Sequence, residues 1–460
     1  MTQPLAHPEH IAVIDVGKTN AKLALVDGQT LNEIAVVTQP NTVLAGPPYP
    51  HFDLERHWQF FLEQLKAFHA EYGIDAISIT THGASIVLLD EAGDLATPML
   101  DYEHDGPDGV AEEYNALRPP FSETGSARLP GGLNVGAQIH WLFHQDPAIK
   151  DRTAHVITYP QYWGQRLTGR WACDVTSLGC HTDLWNPWTG EASALAEHLG
   201  IADKIAPAQK SSDILGPLLP EVSAATGIPP DTPVACGIHD SNASLVPHLR
   251  KQQGQFCVVS TGTWVVCLAI GGSARNLDPE RDSLVNVNAF GSPVPSARFM
   301  GGREFELIRD GSDAVPTDAD RDAVHDAGTM LLPAVVDNSG PFAGRNAEWI
   351  NPPETDGARI YALSLYLALM THTCLELAGG AGPTIIEGPF ARNQDYLAML
   401  SVLRSGGIET ASSATGTSVG AAMLLPVKGR TNTAPVQKPS GAALDRLQTY
   451  ASEWKRCVEG

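Results

Sequence analysis

The chain has 460 residues and carries 30 Lys and Arg against 52 Asp and Glu, a formal net charge of −22 at pH 7. At roughly 100–200 residues per domain this length suggests several domains with their own cores, and 43% hydrophobic with 18% charged residues excludes wholesale disorder. So acidic a surface repels phosphate backbones and anionic bilayers, so neither nucleic acid nor a membrane is expected as a partner. A phosphate can still be held locally, by backbone amides, one lysine or a divalent cation. Seven cysteines (Cys173, Cys180, Cys236, Cys257, Cys267, Cys374, Cys457) form no C-x-x-C pair and suggest reduced thiols in a cytosol. The polar N-terminus lacks a signal pattern, and the apolar stretch from Cys257 to Ile270 is broken by Ser260–Thr263. The expectation is a cytoplasmic protein, monomeric or homodimeric.

In chain order, Ile11–Asp15 reads as a short buried strand ending in Gly17-Lys18-Thr19-Asn20. Ala21–Asp27 follows, then a turn at Gly28-Gln29 and a third strand at Glu33–Gln39, a meander with tight turns. Trp58, Phe61, Leu62, Leu65 and Phe68 recur at helical spacing within Leu54–Tyr72, and Asp75–Thr80 is a further strand. The plan returns downstream. Gln255–Ser260 and Trp264–Ile270 flank a Thr-Gly-Thr turn, with a third strand expected at Leu284–Phe290. Arg359–Leu377 is a long helix closed by Gly379-Gly380, Thr384–Glu387 a strand, Gln394–Arg404 a helix and Gly416–Leu425 a helix of small residues. Pro426–Gly441, rich in Pro, Thr and Lys, reads as a surface loop. Two copies of one plan predict two related α/β domains, 1–246 and 247–460, with a cleft between them and an exposed connector near Pro247–Gly254.

Three turns carry chemistry. Asp15-x-Gly17-Lys18-Thr19-Asn20-x-Lys22 places a carboxylate at a strand end with donors around a glycine turn, suited to phosphate oxygens and a hydrated magnesium ion. The spacing is not that of a Walker loop, and an Asp-capped hairpin would also explain it. Ser260-Thr261-Gly262-Thr263 is the equivalent turn of the second half. Gly237-Ile238-His239-Asp240-Ser241-Asn242 puts Asp240 at a strand-to-helix corner, where the bland alternative is an N-cap aspartate worth about 1 kcal/mol. His239 reads as its structural neighbour rather than as a base. His140 and His144 are four residues apart but lack the glutamate of H-E-x-x-H, so an amphipathic face explains them.

Together these turns resemble the FGGY carbohydrate kinases, of the actin-like, ribonuclease-H-like ATPases, and most closely the rhamnulokinase and fuculokinase branch. The likeness rests on I-D-V-G-K-T-N at Ile14–Asn20, L-L-D-E-A-G at Leu88–Gly93, R-L-T-G at Arg166–Gly169, G-I-H-D at Gly237–Asp240 and S-T-G-T-W at Ser260–Trp264. It implies an ATP-dependent sugar kinase with two ribonuclease-H-like domains. By this resemblance Asp240 is the base that takes the proton of the sugar hydroxyl. Asp15 and Asp240 stand on the magnesium side, and Gly17, Lys18, Thr19, Asn20 and Lys22 lie near the phosphates. Thr261, Gly262 and Thr263 meet them from the second domain.

The family's adenosine motif becomes Gly388-Pro389-Phe390-Ala391-Arg392-Asn393. Gly388 and Asn393 match, whereas Pro389 and Phe390 replace two glycines and must alter backbone contact with the nucleotide. The aromatic-x-Asp-x-Arg motif becomes Asp101-Tyr102-Glu103-His104-Asp105 and loses its arginine. Gln161-Tyr162 stands where the family often has an aspartate before an aromatic residue. The sugar-side candidates are His82, Gly83, Asp101, Gln161, Tyr162, His181 and His239. A deoxyketohexose such as L-fuculose or L-rhamnulose is the leading substrate class. The alternatives are a pentulose, tetrulose or polyol, or a non-catalytic sugar or nucleotide sensor.

Overall fold

The computed structural model describes residues 7–274, 277–411 and 416–459, as two compact units. Unit 1 holds the chain up to Lys251 together with segments Val285–Pro293 and Thr415–Arg430; unit 2 holds Gln252–Leu284, Val294–Ala414 and the chain from Thr431. The chain therefore passes between the units more than once. Arg250 and Lys251, expected in an exposed connector, end a helix, Val246–Lys251, and the Arg250 guanidinium donates to the Leu424 carbonyl at 3.1 Å.

The sheet of unit 1 runs in the order Ile214–Gly216, Val234–Ala235, Ala76–Thr81, His10–Val16, Asn20–Asp27, Glu33–Pro40. His10–Val16 pairs antiparallel with Asn20–Asp27, Asp15 opposite Lys22, and parallel with Ala76–Thr81, Asp15 opposite Thr80. His10–Val16 and Ala76–Thr81 are buried almost throughout, Ser78, Thr80 and Thr81 included, as befits strands covered on both faces. Glu33–Pro40, at the edge, alternates between half-buried and exposed positions. The amphipathic helix Leu54–Tyr72, capped by Asp53 on the Arg56 N–H, turns Trp58, Phe61, Leu65 and Phe68 into the core. Ile238–His239 pairs parallel with the end of Ala76–Thr81, Ile238 opposite Thr80 and His239 opposite Thr81, and leads directly into the helix Asp240–Ala243.

Unit 2 repeats the plan. Phe256–Thr261 pairs antiparallel with Val265–Ile270 and parallel with Thr384–Glu387, which pairs in turn with Ile408–Ala411. The strand expected at 284–290 forms as Ser283–Val287, but the neighbour of Val265–Ile270 is Pro293–Phe299. Two prolines in its first three residues mask that strand in the sequence. Within 426–441, expected as a loop throughout, Thr433–Pro435 forms an edge strand against Ile408–Ala411. Both hairpins close on a glycine N–H with different spans: Gly17 donates to the Asn20 carbonyl three residues on and Gly262 to the Trp264 carbonyl two residues on, both at 2.9 Å.

The helix Asp356–Leu377 starts on a Thr355 cap and is the spine of unit 2. By length and composition it could cross a bilayer, but it is buried on nearly every side within this core. The final helix, Ala442–Glu459, has a pattern the sequence offered plainly: Leu447, Tyr450, Ala451, Trp454 and Val458 all face inward. All seven cysteines are free thiols, and only Cys457 is exposed.

Candidate active site

In unit 1 the strand His10–Val16 delivers Asp15 to its end with little solvent contact. One oxygen, Oδ2, receives Lys22 Nζ at 3.0 Å, Thr417 Oγ1 at 2.5 Å and Ser418 Oγ at 3.1 Å. Thr417 and Ser418 open the small-residue helix Thr417–Ala422. That helix lies against Asp240–Ala243, where a Cβ on Gly420 would sit 2.0 Å from the Ala243 carbonyl oxygen. Asp15 Oδ1 has no hydrogen bond among the described residues and remains a hard oxygen donor suited to magnesium.

Asp240 is the first residue of its helix, with His239 in the capping position, so the carboxylate is not the N-cap of the bland reading. Its Oδ1 lies 3.2 Å from His239 Nε2 and 3.2 Å from Ser241 Oγ, with about a quarter of the side chain exposed. Burial pushes the Asp240 carboxyl up, but the hydrogen bond and charge of His239, with His82 beyond, hold it below the usual carboxylate range. Burial pushes the His239 imidazole down, and the Cys180 sulfur and the Asp240 carboxylate overcome it, carrying His239 well above the usual range. Asp240 is thus held ionised beside a protonated imidazole.

Gly83 allows this arrangement, because a Cβ there would lie 2.5 Å from His239 Nε2. Its neighbour His82 is walled by the rings of Phe52, Tyr102 and Tyr159, with centroids 5.1–5.3 Å away. His82 Nδ1 meets the Gly83 carbonyl at 3.0 Å and Ser85 Oγ at 3.2 Å, while Nε2 is buried without a partner. An orphaned ring nitrogen of this kind suits a ligand hydroxyl. Lys18 pairs with Asp101, reaches Glu103 Oε2 at 3.1 Å, and lies over the rings of Tyr102 and Phe52 at 4.7 and 5.2 Å. The phosphate-turn lysine and the sugar-side aspartate, assigned to different ligands from sequence, are therefore direct partners. The side chains of Thr19 and Asn20 are exposed at the turn, Asn20 Nδ2 donating to Thr19 Oγ1 at 3.1 Å, while their carbonyls accept from the Asn41 and Gly17 N–H groups.

Of the other sugar-side candidates, Gln161 and Tyr162 do not join this group, whereas His181 meets it through the Cys180 thiol, which bonds both His181 and His239. Gln161 is fully buried, its amide donating to the Cys236 carbonyl at 2.8 Å and its oxygen accepting from Thr158. Tyr162 is buried with its hydroxyl accepting from Arg166 at 3.0 Å. His181 adopts φ +42° and meets the Leu133 carbonyl through Nδ1 at 2.7 Å. No group of three or more His, Cys, Asp or Glu side chains forms a metal cluster among the described residues.

Unit 2 carries a pocket of about 550 Å³ lined by Gly262, Thr263, Gly302, Arg303, Phe390 and Asn393, among others. Two close backbone approaches shape it. A Cβ on Gly388, at φ +81°, would lie 1.9 Å from the Thr261 carbonyl oxygen, and one on Gly302 would lie 2.0 Å from that of Gly262. The Phe390 N–H is already used, donating to Thr261 Oγ1 at 3.1 Å, and the Phe390 ring packs between Phe305 and Tyr396. Pro389 stays exposed at the rim. Thr261, beneath the pocket, donates to the Glu387 carbonyl. Gly302, Arg303, Phe305 and Glu306 were missed in the sequence. The signal available was the glycine pair Gly301-Gly302 opening a helix directly after a strand.

Residues 10–247 match the model of the N-terminal domain of the FGGY family of carbohydrate kinases, and residues 253–435 match the FGGY carbohydrate kinase C-terminal domain. The chain belongs to the FGGY family of carbohydrate kinases. A carbohydrate kinase from Novosphingobium aromaticivorans is similar in structure, at 35% identity and a TM-score of 0.90 over 99% of both chains. Among curated relatives, L-fuculokinase of Salmonella typhi is 24% identical over 276 residues, 57% of either chain. Rhamnulokinase of Pectobacterium atrosepticum is 26% identical over 277 residues, 56% of this chain and 52% of the relative. These matches span little more than half the length of the curated relatives. The fold, two sheet-bearing units of the actin-like ATPase type, is that of this family.

Proposed function

We propose that this FGGY protein transfers the γ-phosphoryl group of ATP to a hydroxyl of a small ketose, with Asp240 as general base. The observation that carries the reading is Asp240 itself: a partly exposed carboxylate, kept ionised by His239 at 3.2 Å, at the first position of a helix whose N-cap is His239. A sugar hydroxyl must lose its proton as its oxygen meets the phosphorus, and a carboxylate within hydrogen-bond reach accepts that proton. The new P–O bond forms to the sugar as the bond to the β-phosphate bridge breaks, leaving ADP. Asp15, through Oδ1, and Asp240 are the proposed magnesium-side carboxylates, and the ion would neutralise phosphate charge. Lys22, Thr19, Asn20 and the Gly17 turn are the proposed phosphate contacts of unit 1. Thr261, Gly262, Thr263, Gly388, Pro389, Phe390 and Asn393 are those proposed for the nucleotide in unit 2.

The leading substrate class is a deoxyketohexose of the L-fuculose or L-rhamnulose type. The named relatives support it, and so do the aromatic walls around His82, which offer apolar surface to a methyl-bearing sugar beside the unpartnered Nε2. His82, Gly83 and Asp101 are the proposed sugar contacts. Absence of the family's arginine from Asp101–Asp105 favours a pentulose, tetrulose or polyol as the second reading. A coupled ADP assay over ketoses and polyols separates the two, and a polyol preferred over every ketose refutes the first. Asp240→Asn should fold and bind ATP while losing at least a thousandfold in kcat, an effect on the order of 4 kcal/mol. Retained turnover would remove Asp240 as the base. A sensor without catalysis is disfavoured by the ionised Asp240, which binding alone does not require, and ATP consumption with any sugar dismisses it.

A further inference from the structure

The last helix, Ala442–Glu459, and the second half of Asp356–Leu377 enclose a cavity of about 950 Å³ with the loop around Phe342. It is larger than the pocket at Gly302 and shares no residue with it. Its volume lies in the range of small-molecule sites. Two guanidinium groups, Arg281 and Arg345, line it and flank the Phe342 ring, 5.9 and 5.3 Å from the centroid.

Both arginines are fixed by backbone oxygens. Arg281 Nε donates to the Pro341 carbonyl at 2.9 Å, and Arg345 Nη1 donates to the Val458 carbonyl at 2.7 Å. Carbonyls orient a guanidinium without neutralising it, and neither arginine has a carboxylate partner among the described residues. The two carboxylates lining the cavity are matched by basic groups of the same lining, Glu376 at 3.5 Å from His372 and Glu459 at 3.7 Å from Lys455, and not by either arginine. His372 adds Nδ1, buried without a partner. In a chain of net charge −22, two oriented guanidinium forks in one concave wall, neither on a carboxylate among the described residues, set positive charge against an acidic whole. Planar forks of this kind match phosphate and carboxylate oxygens in pairs.

We propose that this cavity binds a small anion bearing phosphate or carboxylate groups, clamped by Arg281 and Arg345. Phosphoryl transfer at Asp240 does not require it, so the cavity is a second ligand site on the kinase. The test is calorimetric titration of the full chain, saturated with ADP to fill its own phosphate contacts, with inorganic phosphate, pyrophosphate and citrate. At least one probe should bind at a single saturable site, and the phosphate and citrate arms distinguish the two anion chemistries. Arg281→Gln should weaken that binding at least tenfold. Ser452→Trp, which adds bulk to the cavity wall from the last helix while leaving both arginines in the sequence, should abolish it, with ADP affinity unchanged in both variants. Absence of saturable binding by all three probes overturns the proposal. So does wild-type binding in both variants, or loss of probe and ADP binding in step.

Discussion

Gly83 lies so close to His239 that any side chain would enter the imidazole, its Cβ 2.5 Å from Nε2 and within 3.0 Å of two ring carbons. The His239–Asp240 contact therefore depends on a hydrogen atom at position 83. Gly83→Ala, whose backbone conformation an alanine can adopt, should displace the ring and lower kcat at least tenfold, about 1.4 kcal/mol in the barrier. Thermal melting should move by only a few degrees. Unchanged kcat would show that His239 does not hold Asp240 in its working position.

The charge of His239 sets the pH profile. Asp240 is depressed by its imidazolium, so the proposed base stays ionised down to acid pH, and kcat/KM should show no loss from Asp240 protonation between about pH 5 and 8. His239→Gln removes the positive charge and must raise the Asp240 carboxyl, so the acid limb should move upward. The stability contributions run in opposite directions. That of Asp240 is present above its unfolded value and lost as pH falls through its lower folded one. That of His239 is present below its unfolded value and lost as pH rises through its higher folded one. Identical acid limbs in wild type and variant would refute the coupling.

The Lys18–Asp101 pair separates two roles for Lys18. As the partner of Asp101 beneath Tyr102, it should act on the sugar. Lys18→Met should raise the sugar KM about tenfold with the ATP KM nearly unchanged. A change confined to the ATP KM would return Lys18 to the phosphates.

Glu304, fully buried in unit 2, accepts from the Val336 N–H at 3.2 Å and from the Tyr366 hydroxyl at 3.0 Å, and burial pushes its carboxyl up to about 7. A carboxyl raised on folding favours the folded state at low pH and costs stability as pH rises through 7. Between pH 5 and 8 this amounts to roughly 2 kcal/mol. Glu304→Gln keeps an oxygen for the Val336 N–H, and its amide can donate to the Tyr366 hydroxyl oxygen, so it should flatten the dependence, gaining stability at pH 8 in urea titrations. A variant with the wild-type pH slope would show that another group carries it.

Local patterns were legible where one strand or turn suffices. Ile11–Asp15, the Gly17 turn, the Leu54–Tyr72 helix and the Thr261–Thr263 turn all formed as read, because runs of buried residues and glycine turns are short-range signals. Pro293–Phe299 was hidden by its prolines, and the edge strand Thr433–Pro435 by composition that reads as loop. Gln161 and Asp101 looked alike as polar candidates, and only packing separates them. Both ends of Gln161 are spent on Thr158 and Cys236, whereas Asp101 meets Lys18 beside His82.

The sequence by itself determined the acidic surface, the repeated α/β plan and the motif order that marks an FGGY kinase, since each is written in adjacent residues or in composition. Tertiary structure decided what depends on distant residues meeting. Thr417 and Ser418 reach Asp15 across some 400 positions, Gly83 clears space for His239, and Phe390 turns its ring inward while its N–H goes to Thr261. Charge followed the same division. The sum of −22 was countable from the start, but whether a given cation is neutralised depends on which side chain the fold sets beside it, as Lys18 on Asp101 and Arg281 on a carbonyl make plain.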